Sequence, residues 1–303
     1  MKTPLPIFIA GPTATGKSEL ALALAERIGG EIISVDSMQV YRGLDIGTAK
    51  PSAGERARTP HHLIDICDLP ETFDAAQFVQ QAQRAVAEIR SRHRRPIFCG
   101  GTGLYFKAFL EGLGEAPATL APLRTELEAT PLAELLAELQ ARDPATYGVI
   151  DRQNPRRIVR AMEVIRLTGK PFSAQRAEWG AAAATPNYFL IQRPGPELHA
   201  RINRRVEEMF RRGLVTETQQ LLERGLTENR TAMQAIGYRQ VVEHLRGERG
   251  LGGTVELVKS RTRQFAKRQM TWFDRHARAQ AIELKSGESV DPVLAVLVAG
   301  LKD

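Results

Sequence analysis

The chain has 303 residues, of which 43% are hydrophobic and 25% charged, enough for one large or two modest globular domains. Its two cysteines, Cys67 and Cys99, are too few for a disulfide framework or a four-ligand zinc site and read as buried structural thiols; no run approaches the ~18 apolar residues of a membrane span, so no membrane partner and a cytoplasmic location are expected. Residues 1–150 carry 15 Lys/Arg against 18 Asp/Glu, a balance of −3, whereas residues 151–303 carry 27 against 17, a balance of +10, which fits either a polyanionic partner of the second half or a solvated basic surface there.

Leu5 to Ala10 reads as a buried strand, followed by a Gly-rich turn and an Ala/Leu-rich helix from Lys17 to Ile28. Glu31 to Asp36 forms a second strand. Leu63 to Ile66 and Pro96 to Cys99 are further strand candidates, with helices over Asp74 to Arg92 and Leu104 to Leu110. Alternation of this kind gives an α/β fold, a parallel sheet with helices on both faces. From about residue 115 the pattern is helical without strands, as in Pro131 to Ala141 and Pro155 to Thr168, up to an Ala-rich linker at 180–186. Strand character returns at Asn187 to Ile191. The expected organisation is therefore discontinuous: residues 1–114 and 186–303 form one core, and residues 115–185 form an all-helical insertion. Helical patterns follow at 197–224, 231–246 and 254–275, then a last strand at Ala281 to Leu284 and a closing helix from Pro292.

Gly11-Pro12-Thr13-Ala14-Thr15-Gly16-Lys17-Ser18 fits G-x-x-x-x-G-K-[ST] between the first strand and the first helix, the context a P-loop needs. Backbone N–H groups turned inward by the glycines, the positive end of the helix, the Lys17 charge and a Ser18 hydroxyl able to hold Mg²⁺ all suit a diphosphate. The motif alone serves nucleoside triphosphatases, small-molecule kinases and any enzyme whose leaving group is diphosphate. Asp36 falls at the carboxyl end of the second strand, where ligands gather in open α/β sheets. It can bind Mg²⁺, accept a proton from an attacking substrate or cap the turn. The polar loop after it, Ser37 to Pro51, suits a large polar substrate. His61-His62 and the other histidines lack metal-ligand spacing, and no G-x-S-x-G nucleophile element occurs.

Gly11 to Ser18, Asp36-Ser37-x-Gln39-Val40-Tyr41 with Gly47 to Pro51, Gly100 to Tyr105, Ile236 to Gln240 and Lys267-Arg268-Gln269-x-Thr271-Trp272-Phe273, in this order, resemble the tRNA dimethylallyltransferases (isopentenyltransferases) from about residue 5 to 285. The resemblance implies a P-loop that binds dimethylallyl diphosphate instead of ATP, and a target adenosine 3′ of the anticodon. It also implies an insertion domain that grips the anticodon stem-loop. By position, Asp36 resembles the general base and Thr102 its partner near the reacting amine, while Arg205 looks like the clamp on the diphosphate. The donor set is Gly11, Thr13, Ala14, Thr15, Gly16, Lys17, Ser18 and Arg205. The tRNA-contacting positions implied are Asp36, Ser37, Met38, Gln39, Thr102, Arg124, Arg156, Arg157, Arg160, Gln234, Gly237, Tyr238, Arg239, Lys267, Arg268 and Gln269. Asp274 departs from the family, standing where a basic residue is common, and the lack of a Cys/His zinc-finger pattern favours the bacterial branch.

An adenine amine is a weak nucleophile, so the expected chemistry pairs a good leaving group with a base. Lys17, the loop amides, Arg205 and Mg²⁺ on Ser18 stabilise the departing diphosphate, and Asp36 takes the amine proton with Thr102 orienting it. The adenosine must leave its stack to react. Arg152, Arg156, Arg157, Arg160 and Arg166, and Lys259, Arg263, Lys267 and Arg268, fall near helical spacing and either track phosphates or form solvated faces. Tyr41, Tyr105, Trp272 and Phe273 either stack on bases and line the isoprenoid channel or pack in the core. A monomer is expected. The rival readings are a P-loop kinase of a small metabolite or nucleotide, which leaves the basic second half unexplained, and an RNA-binding module with a nucleotide switch, which leaves Asp36 unexplained. A transferase acting on free AMP would lack the segments at 156–160 and 267–274.

Overall fold

The computed structural model describes residues 4–114, 117, 119–175, 185–285 and 289–302. The strands and helices run β1 (Ile7–Ala10), α1 (Lys17–Ile28), β2 (Glu31–Val35), α2 (Ala53–Arg58), β3 (His61–His62), α3 (Ala75–Ser91), β4 (Pro96–Gly100) and α4 (Gly103–Glu111). Four helices follow without a strand: α5 (Ala121–Ala129), α6 (Leu132–Arg142), α7 (Pro144–Val149) and α8 (Pro155–Thr168). The chain then continues through β5 (Tyr188–Gln192), α9 (Gly195–Arg211), α10 (Leu214–Glu223), α11 (Tyr238–Leu245), α12 (Leu251–His276), β6 (Gln280–Glu283) and α13 (Asp291–Gly300).

One sheet of order β3-β2-β4-β1-β5-β6, parallel throughout, organises the larger unit. Its central strands are uninterrupted apolar runs because both faces are covered. Alternate side chains go to opposite layers. Phe8, Ile33, Val35 and Phe98 meet Phe78, Tyr105 and Val241 on one face, while Ile7, Ile9, Ile32 and Ile97 meet Leu20, Leu24 and Leu297 on the other. The chain divides into two compact units, residues 1–110 with 183–303, and residues 111–182. The smaller one has its own core of Leu127, Leu135, Leu139, Ile158, Met162 and Ile165. Its longest helix, α8, is defined by local chemistry: Asn154 accepts from the Arg157 amide at the start, Pro155 occupies the first turn, and Gly169 in the left-handed region (φ +69°) ends it.

Several elements differ from the sequence expectation. The strand expected at Leu63 to Ile66 is instead the two-residue β3, whose His61 and His62 align with Ile32 and Ile33. Leu63 and Asp65 have φ of +62° and +57°, incompatible with a strand. The single helical pattern at 197–224 is two helices, broken at Gly213 with φ +99°. The 231–246 pattern is a short 3₁₀ turn at Ala232–Gln234 followed by α11. Most of the Ala-rich linker expected at 180–186 lies outside the described residues. Among the described residues no helix is long and apolar enough to cross a membrane.

Candidate functional site

β1 ends at Ala10, in register with Gly100 of β4 and Leu190 of β5, and the P-loop leaves the sheet there. A Cβ on Gly11 would lie 2.5 Å from the Ile191 carbonyl oxygen, so only glycine allows the loop to pass this close to β5. Gly16, at φ +97°, turns the chain into α1. Other elements hold the loop's outer side. The Arg193 Nε donates to the Thr15 carbonyl at 2.7 Å, and the Arg201 Nε donates to the Ala14 carbonyl at 2.9 Å. The Thr13 amide donates to Gln269 Oε1 at 3.0 Å. The Thr13 amide is thus committed to Gln269 and is not among the free donors of the loop. The amides of Ala14, Thr15, Gly16, Lys17 and Ser18 donate to no acceptor among the described residues, which leaves a ring of N–H groups for an anion.

The loop forms one wall of a cleft of about 1030 Å³, lined by Gly16, Lys17 and Ser18 and, from α9, by Arg201, Arg204, Arg205 and Arg211. The Lys17 Nζ donates to the Pro12 carbonyl at 2.9 Å. Burial pushes its ammonium down to about 8; the neighbouring Arg205 charge acts the same way, and Asp36 opposes it. Burial also lowers the Arg205 guanidinium, again with Asp36 opposing. Two half-buried cations side by side on the cleft lining are an arrangement completed by an anionic ligand.

Asp36 follows β2 directly. Its Oδ1 accepts from the Met38 amide at 2.8 Å and the Gln39 amide at 3.3 Å. One carboxylate oxygen thus caps the turn, as one of the sequence alternatives had it, and the second accepts no hydrogen bond among the described residues. The Ser37 amide donates to Thr102 Oγ1 at 3.1 Å, and the Thr102 amide donates to the Val35 carbonyl at 3.1 Å, tying the two strand-end loops together. Gln39 stitches its own loop: its Oε1 accepts from Ser34 Oγ at 2.9 Å and its Nε2 donates to the Thr48 and Ala49 carbonyls at 3.1 and 3.3 Å.

The residues expected to contact RNA separate into two groups. Gln234, Arg239, Lys267, Arg268, Arg156 and Arg157 are exposed, and Ser37, Met38 and Thr102 are half-buried at the loops. Tyr238, by contrast, is wholly buried: its hydroxyl donates to Glu217 at 2.6 Å and accepts from the Gly47 amide at 3.0 Å. Gly237 is buried too, at φ +104°, and Gln269 is 8% exposed with both ends of its amide engaged inside. These three are buried and hydrogen-bonded within the protein itself. In the smaller unit, Arg124 and Arg160 converge on the fully buried Glu163, at 3.7 and 2.7 Å. Arg166 pairs with Glu126 and Glu138, Lys259 with Glu207 and Glu256, and Arg263 donates to Asn203. Tyr41, Tyr105 and Phe273 are core residues, whereas Trp272 is half-buried.

Both cysteines are buried and free, their thiols pushed up to about 11 by burial. His61 and His62 serve the backbone of Thr59 and the buried Glu31. Among the described residues no group of three or more His, Cys, Asp or Glu could hold a metal ion, so a cation here would have to share its ligands with the donor's phosphate oxygens. Sequence reasoning missed Arg193, Arg201, Glu163 and Glu217. Arg193 had a signal, since it follows β5 at the ligand-bearing end of the sheet, and Arg201 lies one turn before Arg205 on α9.

Residues 39–276 match the family model described as IPP transferase. The chain is 50% identical over 275 residues to a tRNA dimethylallyltransferase of Halorhodospira halophila, covering 88% of this chain and 89% of the relative. It is 48% identical over 276 residues to tRNA dimethylallyltransferase 1 of Trichlorobacter lovleyi, covering 89% and 90%. Among solved structures, the full-length tRNA isopentenylpyrophosphate transferase of Bacillus halodurans is 37% identical, with 99% and 96% coverage and a TM-score of 0.71. A eukaryotic dimethylallyltransferase solved acting on tRNA is 28% identical, with 98% and 77% coverage and a TM-score of 0.80. Matched over most of its length in both sequence and architecture, the chain belongs to the IPP transferase family.

Proposed function

We propose that this protein transfers a dimethylallyl group from dimethylallyl diphosphate to the exocyclic amine of the adenosine 3′-adjacent to the anticodon in tRNA, releasing diphosphate. The observation that carries the reading is the cleft at the P-loop, where the free amides of residues 14–18 meet Lys17 and Arg205, with Asp36 close enough to act on both cations. The names of the relatives, which act on tRNA, support the acceptor. A kinase reading is not favoured, because the relatives that match nearly the whole chain are dimethylallyltransferases.

The free amides of residues 14–18, Lys17 and Arg205 bind the donor's diphosphate and stabilise the charge that grows on it as the allylic C–O bond breaks. The amine nitrogen forms the new bond to that carbon, and its proton passes to Asp36. Capping of Oδ1 by the Met38 and Gln39 amides fixes the carboxylate and leaves the other oxygen to receive the proton. Thr102, bonded to the Ser37 amide, sets the distance of that loop from the α4 end of the site. Ser18, exposed in the cleft, would hold Mg²⁺ together with the donor phosphates; when bound, the ion adds positive charge against the leaving group. Flipping the adenosine out costs a few kcal/mol, offset by backbone contacts to exposed residues such as Arg157, Lys267 and Arg268. The proposed unit is a monomer, acting in the cytoplasm.

The test is incubation with radiolabelled dimethylallyl diphosphate, Mg²⁺ and unmodified tRNA, followed by nucleoside analysis. Label in a modified adenosine is the expected result. No transfer from this donor, with phosphoryl transfer from ATP to a small acceptor instead, would overturn the proposal.

A further inference from the structure

The block Lys267-Arg268-Gln269-Met270-Thr271-Trp272-Phe273 sits on α12, and the helix sorts it by face. Lys267, Arg268 and Thr271 are exposed, whereas Gln269 and Phe273 are buried and Trp272 is half-buried. Gln269 and Trp272, three residues apart, therefore look the same way. Both press on one turn, Gly101-Thr102-Gly103. A Cβ on Gly101 would lie 2.3 Å from Gln269 Nε2, and one on Gly103 would lie 2.1 Å from the Trp272 ring.

The Gln269 amide is used at both ends. Its Oε1 accepts from the Thr13 amide at 3.0 Å, inside the P-loop, and its Nε2 donates to the Gly101 carbonyl at 2.9 Å, one residue before Thr102. Thr102 in turn accepts from the Ser37 amide, next to Asp36. A continuous path of hydrogen bonds and single peptide links thus runs from the diphosphate cradle through one side chain to the base: Thr13, Gln269, Gly101, Thr102, Ser37, Asp36. Neither bond joins Gln269 to core structure; both end on the two loops whose separation sets the distance between leaving group and proton acceptor.

We infer that Gln269 is a positioning residue that registers the donor loop against the acceptor loop, and not a contact to the RNA. The inference rests on the proposed prenyl transfer. A side chain here must accept from one amide and donate to one carbonyl. Glutamine does both. A protonated glutamic acid of the same shape also does both, whereas the carboxylate turns two lone pairs on the Gly101 carbonyl and loses the second bond. Leucine makes neither.

The experiment compares the wild-type protein with Gln269→Leu and Gln269→Glu, each shown to be folded by thermal melting, in single-turnover transfer of labelled dimethylallyl groups to saturating tRNA. tRNA affinity is measured separately by filter binding. Gln269→Leu is expected to lower the transfer rate about 30-fold or more with tRNA affinity within about twofold of wild type. Gln269→Glu is expected to be impaired at pH 8 and to recover towards the wild-type rate as pH falls, read as the ratio of the two rates. Loss of tRNA affinity with an unchanged rate at saturation would assign Gln269 to the RNA and overturn the inference, as would a Gln269→Glu ratio that does not vary with pH. Should Gln269→Leu fail to fold, the pH dependence of Gln269→Glu alone decides. A wild-type protein that transfers no label would instead overturn the proposed function.

Discussion

Two clusters, one in each unit, handle positive charge in opposite ways. At the P-loop of the larger one, Lys17 and Arg205 lie half-buried on the lining of one cleft, and burial lowers the pKa of each. In the smaller one, Arg124 and Arg160 share the buried carboxylate of Glu163, and Arg166 is held between Glu126 and Glu138. In the first arrangement Asp36 alone opposes two cations until a ligand adds negative charge; the second is neutralised from within, Arg124 pairing with Glu128 as well as Glu163. Counting arginines therefore does not locate a ligand-facing surface. What locates it is the absence of an internal anion of matching charge, and by that measure the core is the sharper site although the basic surplus lies in the second half of the chain.

Four experiments break or sharpen this contrast. Replacing Asp36 by Asn removes the carboxylate that acts on both core cations, and should lower the single-turnover transfer rate by about 10²–10⁴-fold with tRNA binding retained. An unchanged rate would remove Asp36 from the role of base. Arg205→Ala should cost about 10²–10³-fold in transfer, yet leave the melting temperature equal or higher, since it deletes a desolvated charge that has no internal partner as close as those of the insertion. A marked drop in melting temperature would place Arg205 with the internally paired arginines.

Glu163→Gln should behave in the reverse sense. Loss of the buried charge leaves Arg124 and Arg160 facing a neutral amide and should destabilise the helical unit by about 1–3 kcal/mol, measured by protease sensitivity of residues 111–182, with the intrinsic chemistry at saturating tRNA little changed. The smallest effect concerns pH. Lys17 is depressed to about 8 in the free protein, and a bound diphosphate favours its charged form, so the pKa rises in the complex. Donor affinity should thus be greatest below about pH 8 and fall as pH rises above it, by at most about tenfold per pH unit, and Lys17→Met should abolish that dependence. The same depression means that folding stability contributed by this residue rises between about pH 8 and the ordinary lysine range near 10.5, because the unfolded chain binds the extra proton.

The cradle was legible because its chemistry is local: strand, glycines, lysine and helix are contiguous, and β1, α1, β2 and β4 fell within two residues of expectation. Asp36 was legible for a related reason, since a strand end fixes where its following residue lies. Less visible were features decided at long range. Leu63 and Asp65 look like part of an apolar strand, but Asp65 is drawn out by Lys50 and Arg56, and the backbone there adopts positive φ. Gly213 interrupts an amphipathic pattern that runs on through it, so the turn between α9 and α10 had no periodic signature. The segments carried over as RNA contacts mixed exposed and buried positions, because a motif read along the chain does not say which side of a helix each residue takes. Gln269 between Lys267, Arg268 and Thr271 is the plainest case.

The pairing of β1 with β5 has a consequence for synthesis. The Ile191 carbonyl that the phosphate loop passes, and the Arg193 and Arg201 side chains that grip its outer edge, emerge from the ribosome about 180 residues after Gly11, behind the whole helical insertion. Until then β1 is the open margin of a half-built sheet, an apolar edge that a growing chain must shield. A loop translated early is thus competent only once its late-emerging supports, the Ile191 carbonyl and the Arg193 and Arg201 side chains, have reached it.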